Sequence, residues 1–136
     1  MDKSLNYLAL ARKAGKAELG EEPVGAAARA GKAYLVIVAS DASDHSWRRA
    51  NSYVSGTEQR CIRLKQTKDE LGQAIGRTSL AMAALTDASL ALAFVKAMEA
   101  PDAQVLAYLT EKSTRQEKRR KEAKAHQKNV RTGKKK

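Results

Sequence analysis

Helix-spaced apolar positions and one continuous apolar run alternate along the first part of the chain. Leu5, Leu8 and Ala9 share one helical face, whereas residues 34–39 (Tyr-Leu-Val-Ile-Val-Ala) are apolar without a break. A run of this kind is typical of a strand that is covered on both faces, because no position in it alternates toward solvent. The pattern therefore predicts a buried strand that is flanked by helices.

Capping chemistry indicates further elements. Residues 67–70 (Thr-Lys-Asp-Glu) have the spacing of a capping box at a helix start, and weaker strands are predicted over 16–19 and 59–64. The segment 80–100 is ambiguous, because its Ala, Leu and Met residues also favour one long helix. However, residues 86–89 (Thr-Asp-Ala-Ser) repeat the polar chemistry that follows the first buried strand.

We therefore divide this segment into a strand over 80–85 and a helix that begins near Asp87. The resulting alternation of helices and strands predicts an α/β fold, namely a single three-layer α/β/α sandwich with a basic C-terminal arm.

Positive charge is concentrated in the last quarter of the chain. The 136 residues include 26 Lys and Arg against 15 Asp and Glu, a formal net charge of +11. Residues 1–100 hold 14 basic and 11 acidic side chains, whereas residues 101–136 hold 12 and 4. We expect a domain over 1–100 and a disordered or partly helical arm over 101–136, with the boundary near Pro101. Such an arm suits an anionic partner, although a purely solubilising tail is the alternative.

Several functional classes lack their sequence signals. Cys61 is the only cysteine, which excludes an internal disulfide framework and suits a reducing, cytoplasmic compartment. His45 and His126 have no metal-ligand spacing, and neither a phosphate-binding loop nor a dinucleotide motif is present. No signal peptide or membrane-spanning run is found. We expect a monomeric binding protein that is not an enzyme and has no cofactor.

Three ordered segments resemble a known family. They are residues 20–24 (Gly-Glu-Glu-Pro-Val), 36–43 (Val-Ile-Val-Ala-Ser-Asp-Ala-Ser) and 71–77 (Leu-Gly-Gln-Ala-Ile-Gly-Arg), and the opening 8–16 is consistent with them. Their order and spacing resemble the kink-turn-binding ribosomal protein family whose namesake is archaeal L-seven-Ae, in particular its YlxQ-like bacterial branch. The resemblance covers about residues 4–100 and leaves the basic arm outside.

The resemblance implies an α/β/α sandwich that binds kink-turns, RNA duplexes bent sharply at a bulge. A helix N-terminus would meet the RNA, and a second loop would pack on the bulge. The implied RNA partner could be ribosomal RNA. The candidate RNA-binding residues are Gly20, Glu21, Glu22, Trp47, Arg48, Arg49, Lys68, Arg77, Thr78 and Ser79, and the basic arm adds Lys118, Arg119, Arg120 and Lys121.

Alternatives remain open at the sequence level. Glu22 either accepts hydrogen bonds from guanine N–H groups or only stabilises the helix dipole, and Trp47 either stacks on a base or packs in the core. Many relatives have a Lys where Ala26 stands. The leading hypothesis is a non-catalytic protein that stabilises kinked RNA, ribosomal or ribosome-associated. The alternatives are a nonspecific RNA chaperone that acts through the arm, or an accessory domain for a catalytic partner chain.

Overall fold

The structure, a computed structural model, describes residues 2–131 and the side chains up to residue 126. Within this range six helices and four strands follow one another, and residues 132–136 of the predicted arm lie outside it. The helices are α1 (Ser4–Lys13), α2 (Glu21–Arg29), α3 (Asp44–Val54), α4 (Lys68–Ala74), α5 (Ala88–Lys96) and α6 (Ala103–Arg131), and the strands are β1 (Ala17–Leu19), β2 (Leu35–Val38), β3 (Arg60–Arg63) and β4 (Met82–Leu85).

The four strands form one mixed sheet in the order β1-β4-β2-β3. Strand β2 pairs in parallel with β3 and antiparallel with β4, which in turn pairs antiparallel with β1. Every residue of β2 and β4 is buried, as the continuous apolar run predicts for β2. The division of segment 80–100 is confirmed, because Asp87 caps α5 by accepting a 2.9 Å hydrogen bond from the Leu90 N–H.

Helices cover the sheet on both sides. Helices α2 and α3 pack together and on the sheet, while α1 packs on both α4 and α5. The predicted α/β/α class is confirmed. The core between these layers contains large side chains such as Phe94 and Leu71, but alanines fill much of it. The fully buried alanines include Ala11, Ala33, Ala39, Ala50, Ala83, Ala84, Ala88 and Ala91.

Helix α6 begins two residues after Pro101 and packs along α5. Val105 and Leu109, which lie four residues apart on its inner face, are 7% and 0% exposed and belong to the core. The packed part of the chain therefore extends beyond the boundary expected at Pro101. The physical reason is that these two apolar side chains cover α5 even though the helix is polar on average.

Polar contacts extend this docking along α6. Gln116 donates a 3.0 Å hydrogen bond to the Asp87 carboxylate and accepts a 2.9 Å bond from the Ala88 N–H. Arg120 reaches the same carboxylate at 3.3 Å. The first half of the expected arm is thus an ordered helix on the domain, and Arg120 makes the last of its described contacts with the rest of the fold.

Candidate nucleic-acid interface

The pairing of the strands defines two ends of the sheet. At one end, Leu19 is followed by helix α2, and Val38 pairs with both Met82 and Arg63. We call this the α2 end. At the other end lie Ala17, Leu35, Arg60 and Leu85, and we call it the α6 end because α6 contacts Asp87 just after β4.

Gly20 begins helix α2 at the α2 end. Its φ of 97° lies in the left-handed region, which favours glycine. Its N–H donates a 3.0 Å hydrogen bond to the Met82 carbonyl, so the helix start is attached to β4. Glu21 and Glu22 occupy the first turn, where carboxylates complement the helix dipole. Glu22 is exposed and therefore free to meet a partner.

Glu21, in contrast, already has a partner. Its carboxylate lies 3.0 Å from the Arg49 guanidinium of α3, and Arg49 also donates a 3.3 Å hydrogen bond to the Tyr53 hydroxyl. The hydrogen bond to Tyr53, followed by the charge of Glu21, raises the pKa of Arg49. Arg49 is thus held by protein groups. A phosphate would have to compete with them.

A second group of candidates lies around the start of α4. Thr67 and Glu70 form the predicted capping box. The Lys68 N–H donates a 2.8 Å hydrogen bond to the Asp41 carboxylate, and the Lys68 carbonyl accepts a 3.0 Å bond from the Leu80 N–H. Asp41 follows β2 and is not among the candidate residues, although it belongs to the 36–43 segment of the family resemblance. The Lys68 backbone thus joins the segments after β2, at the start of α4 and before β4, which are distant in sequence.

The loop that contains Arg77, Thr78 and Ser79 can lie close to α4 because Gly72 has no side chain. A Cβ atom built on Gly72 would lie 2.6 Å from the Ser79 Cα and 2.8 Å from the Arg77 carbonyl oxygen. These distances leave no room for a side chain at position 72. The close approach of the loop therefore explains why a glycine stands at this position of the 71–77 segment. All three loop residues are exposed at the α2 end.

Trp47 lies on α3, two residues before Arg49. Its ring is partly buried against the core, and the Arg63 guanidinium covers it at 4.7 Å from the ring centroid. This geometry favours core packing over base stacking. Arg48 is exposed and has no ion pair among the side chains that the structure describes.

The four arm candidates are not brought to the α2 end. Arg120 pairs with Asp87 at 3.3 Å and with Glu117 at 3.1 Å, which places this part of α6 at the α6 end. Lys118, Arg119 and Lys121 are exposed beside it. Apart from Trp47 and Arg48 on α3, the site residues predicted from the sequence therefore lie at two opposite ends of the sheet rather than on one surface.

The exposed side chains at the α2 end can accept or donate hydrogen bonds. Its exposed groups include the carboxylates of Glu22, Asp41, Asp69 and Glu70, the Arg77 guanidinium and the Thr78 and Ser79 hydroxyls. Burial raises the pKa of the Cys61 thiol to about 12, which makes it a poor nucleophile.

Residues 2–131 contain no group of His, Cys, Asp and Glu side chains arranged for a metal ion. Within that part of the chain no helix has the length and apolar character needed to cross a membrane.

Comparison with known proteins shows a shared fold. No family model matches the chain, and no curated protein matches it. A protein of unknown function from Bacillus halodurans superposes with a TM-score of 0.67 at 26% identity, over 74% of this chain and 100% of that one. The Giardia lamblia 15.5 kD RNA-binding protein superposes with a TM-score of 0.55 at 18% identity, over 81% of this chain and 83% of that one. The chain is similar in fold to both proteins.

Proposed function

We propose that this chain is a non-catalytic RNA-binding protein that stabilises kinked RNA, specifically a kink-turn, through its α2 end. We further propose that it acts as a cytoplasmic, ribosome-associated monomer. The observation that carries the proposal is the set of hydrogen bonds linking Gly20 to Met82, Asp41 to Lys68, and Lys68 to Leu80. They join the start of the 20–24 segment to β4, which pairs with β2 of the 36–43 segment, and they join Asp41 of that segment to α4, which continues into the 71–77 segment. The fold shared with the Giardia RNA-binding protein adds support.

The chemistry of the α2 end suits an RNA kink. Ordinary A-form RNA keeps its base edges in a deep, narrow major groove, and a sharp kink opens that groove. The exposed Glu22 carboxylate is an acceptor for guanine N–H groups, and the Arg77 guanidinium is a donor for phosphate oxygens. Carboxylates repel phosphate, so exposed carboxylates beside the Arg77 guanidinium favour a surface that reads bases over one that only attracts phosphates.

Binding of this kind acts by population shift. The RNA samples bent and extended forms, and the protein contacts the bent form alone. Moving an RNA from 1:99 to 99:1 in favour of the bent form requires about 5.5 kcal/mol of differential binding. Hydrogen bonds to charged groups contribute about 1.5–3 kcal/mol each, so a few of them at the α2 end are sufficient.

The test compares Glu22→Ala with Glu122→Ala on a kink-turn RNA that carries donor and acceptor dyes on its two arms. Both changes remove one exposed carboxylate, but Glu122 lies on α6 beyond the last described contact of that helix. We expect Glu22→Ala to weaken bending of the kink-turn by roughly ten- to a hundredfold. Glu122→Ala should leave bending unchanged, or strengthen it slightly by reducing repulsion of phosphate.

Two other outcomes are informative. If Glu22→Ala bends the RNA as well as the parent does, the carboxylate is only a helix-end stabiliser and base reading at this position is wrong. If the parent binds kinked and straight duplexes equally, kink specificity is absent. The missing Lys at Ala26 would then account for the loss, and the nonspecific RNA chaperone would replace the proposal.

A further inference from the structure

An open groove of about 450 Å³ lies at the α6 end, opposite the proposed kink-turn site. It runs between the last turn of α2 and the middle of α6. Its floor is formed by the residues that precede strands β2 and β3. The groove exists because α6 is docked on the fold, and it was not apparent from the sequence. We call it the α6 groove. Its charged and aromatic lining residues are Arg29, Tyr34, Glu58, Tyr108, Lys112, Arg115 and Arg119.

The α6 groove is strongly basic. It has four cationic side chains and one carboxylate, Glu58, which lies 2.7 Å from the Lys112 ammonium. The hydrogen bond and charge of Lys112 lower the pKa of Glu58, so this carboxylate is ionised at neutral pH and compensates mainly Lys112, with smaller effects of Arg115 and Arg60. Arg29 and Arg119 have no ion pair among the described side chains, and Arg115 has only an exposed pair with Glu111 at 3.6 Å. Three guanidiniums thus remain available to an anion.

Aromatic rings accompany these charges. Tyr34 and Tyr108 are both partly buried in the wall of the groove. The Tyr108 ring is covered by the Arg60 guanidinium at 4.7 Å and has the Lys112 ammonium at 5.7 Å from its centroid. Burial and the neighbouring Glu58 carboxylate raise the pKa of Tyr108, which keeps its phenol protonated as a hydrogen-bond donor.

The combination identifies a class of ligand. The carboxylates of an acidic peptide would pair with the guanidiniums, but such a peptide has no group that regularly stacks on tyrosine rings. An RNA duplex would present phosphates while its stacked bases stayed out of reach of the rings. A single strand presents phosphates and unstacked bases together, and basic grooves with aromatic rings are the usual way of binding it.

We propose that the α6 groove binds single-stranded RNA, with phosphates paired to Arg29, Arg115 and Arg119 and a base against Tyr34. The choice of RNA over another phosphate compound rests on the proposed function. The groove and the α2 end lie at opposite ends of the sheet, so one molecule could hold a kinked duplex and a neighbouring single strand at the same time. The basic residues Arg115 and Arg119 of α6 would thus form one binding site together with Arg29 of α2.

The experiment measures the affinity for a fluorescent oligouridylate of about ten nucleotides as a function of salt concentration. The groove variant is Arg29→Gln with Arg119→Gln. The matched control is Lys118→Gln with Lys121→Gln, which removes the same charge from exposed positions outside the groove lining. We expect about a tenfold loss of affinity for the groove variant and less than about threefold for the control. The salt slope should fall by about 0.7 for each groove arginine removed.

Equal losses for both variants would show diffuse attraction by α6 and overturn the groove assignment. Displacement of the strand by adenosine monophosphate, at the same concentration of phosphate groups, would make the occupant a small phosphate compound and overturn the RNA assignment.

Bending of the kink-turn RNA separates this inference from the proposed function. If the groove variant loses the oligonucleotide but still bends the kink-turn, both proposals are supported. If neither the parent nor any variant bends the kink-turn, but the groove variant alone loses affinity for the oligouridylate, the proposal for the α6 groove is supported and the kink-turn proposal fails.

Discussion

Removal of helix α6 is expected to destabilise the whole fold, not only to reduce its charge. Ending the chain after Pro101 uncovers the face of α5 on which α6 packs and removes Val105 and Leu109, which are 7% and 0% exposed. Full burial of one such side chain contributes about 1.5–3 kcal/mol, so the two together account for about 3–6 kcal/mol. Domains of this size have a free energy of unfolding of about 5–15 kcal/mol. The loss is therefore a large fraction of the total.

Urea denaturation measures this loss directly. The fluorescence of Trp47, the only tryptophan, and the helical circular dichroism should report one transition. The matched control ends after Lys121 and keeps every contact described between α6 and the rest of the fold. We expect the control to unfold at the parent midpoint and the Pro101 truncation to unfold at a much lower urea concentration. The shorter chain should also have a smaller m-value, because less surface is exposed on unfolding.

A Pro101 truncation within about 1 kcal/mol of the parent would refute the reasoning. It would mean that α6 lies on the fold without stabilising it, and the domain boundary expected from the sequence would then be correct. Leu109→Ala gives an independent check in the full chain. Deletion of a fully buried leucine side chain costs about 2–5 kcal/mol.

Three further predictions concern single residues. Gly72→Ala should displace the loop at Ser79 and cost about 1–3 kcal/mol, measured by urea denaturation, with weaker kink-turn bending as the functional readout. Because Lys112 lowers the pKa of Glu58, the ionised carboxylate stabilises the fold above its usual value of 4.5 and this contribution disappears as the pH falls through the lowered value. Glu58→Gln should therefore reduce the dependence of the free energy of unfolding on pH below 4.5, which unfolding curves at successive pH values would check. Cys61, with its pKa raised to about 12, should react with a thiol reagent at pH 8 far more slowly in the folded protein than in urea, and equal rates would contradict its burial.

The elements themselves could be predicted because their signals are local. The apolar run over 34–39 and the polar residues 86–89 each identify a strand or a helix start without reference to the rest of the chain. Helix α6 could not be assigned to the core in this way. Averaging the composition over 101–136 hides Val105 and Leu109 among charged residues, and only the position of α5 shows what they cover.

The candidate site was predictable only in part for the same reason. The resemblance identifies Gly20 and the 71–77 segment, but the order of the strands is what brings Gly20 next to Met82. The ion pair between Glu21 and Arg49 and the hydrogen bond between Asp41 and Lys68 join residues 27 or more positions apart. Helix period and capping rules act over a few residues, so they cannot report such contacts.

The abundance of alanine in the core has a consequence for how this fold tolerates sequence change. Ala83 and Ala84 lie at the centre of the sheet with no exposed surface, and Ala50 and Ala91 lie in helices on either side. Replacement by glycine removes only a methyl group, so it leaves no sizeable cavity and costs about 0.5–1 kcal/mol, mainly through backbone entropy. Each added carbon would instead push a helix away from the sheet, at a cost of about 1–3 kcal/mol. Natural variants of this fold should therefore diverge freely at their surfaces while the size of these central side chains stays near its lower limit.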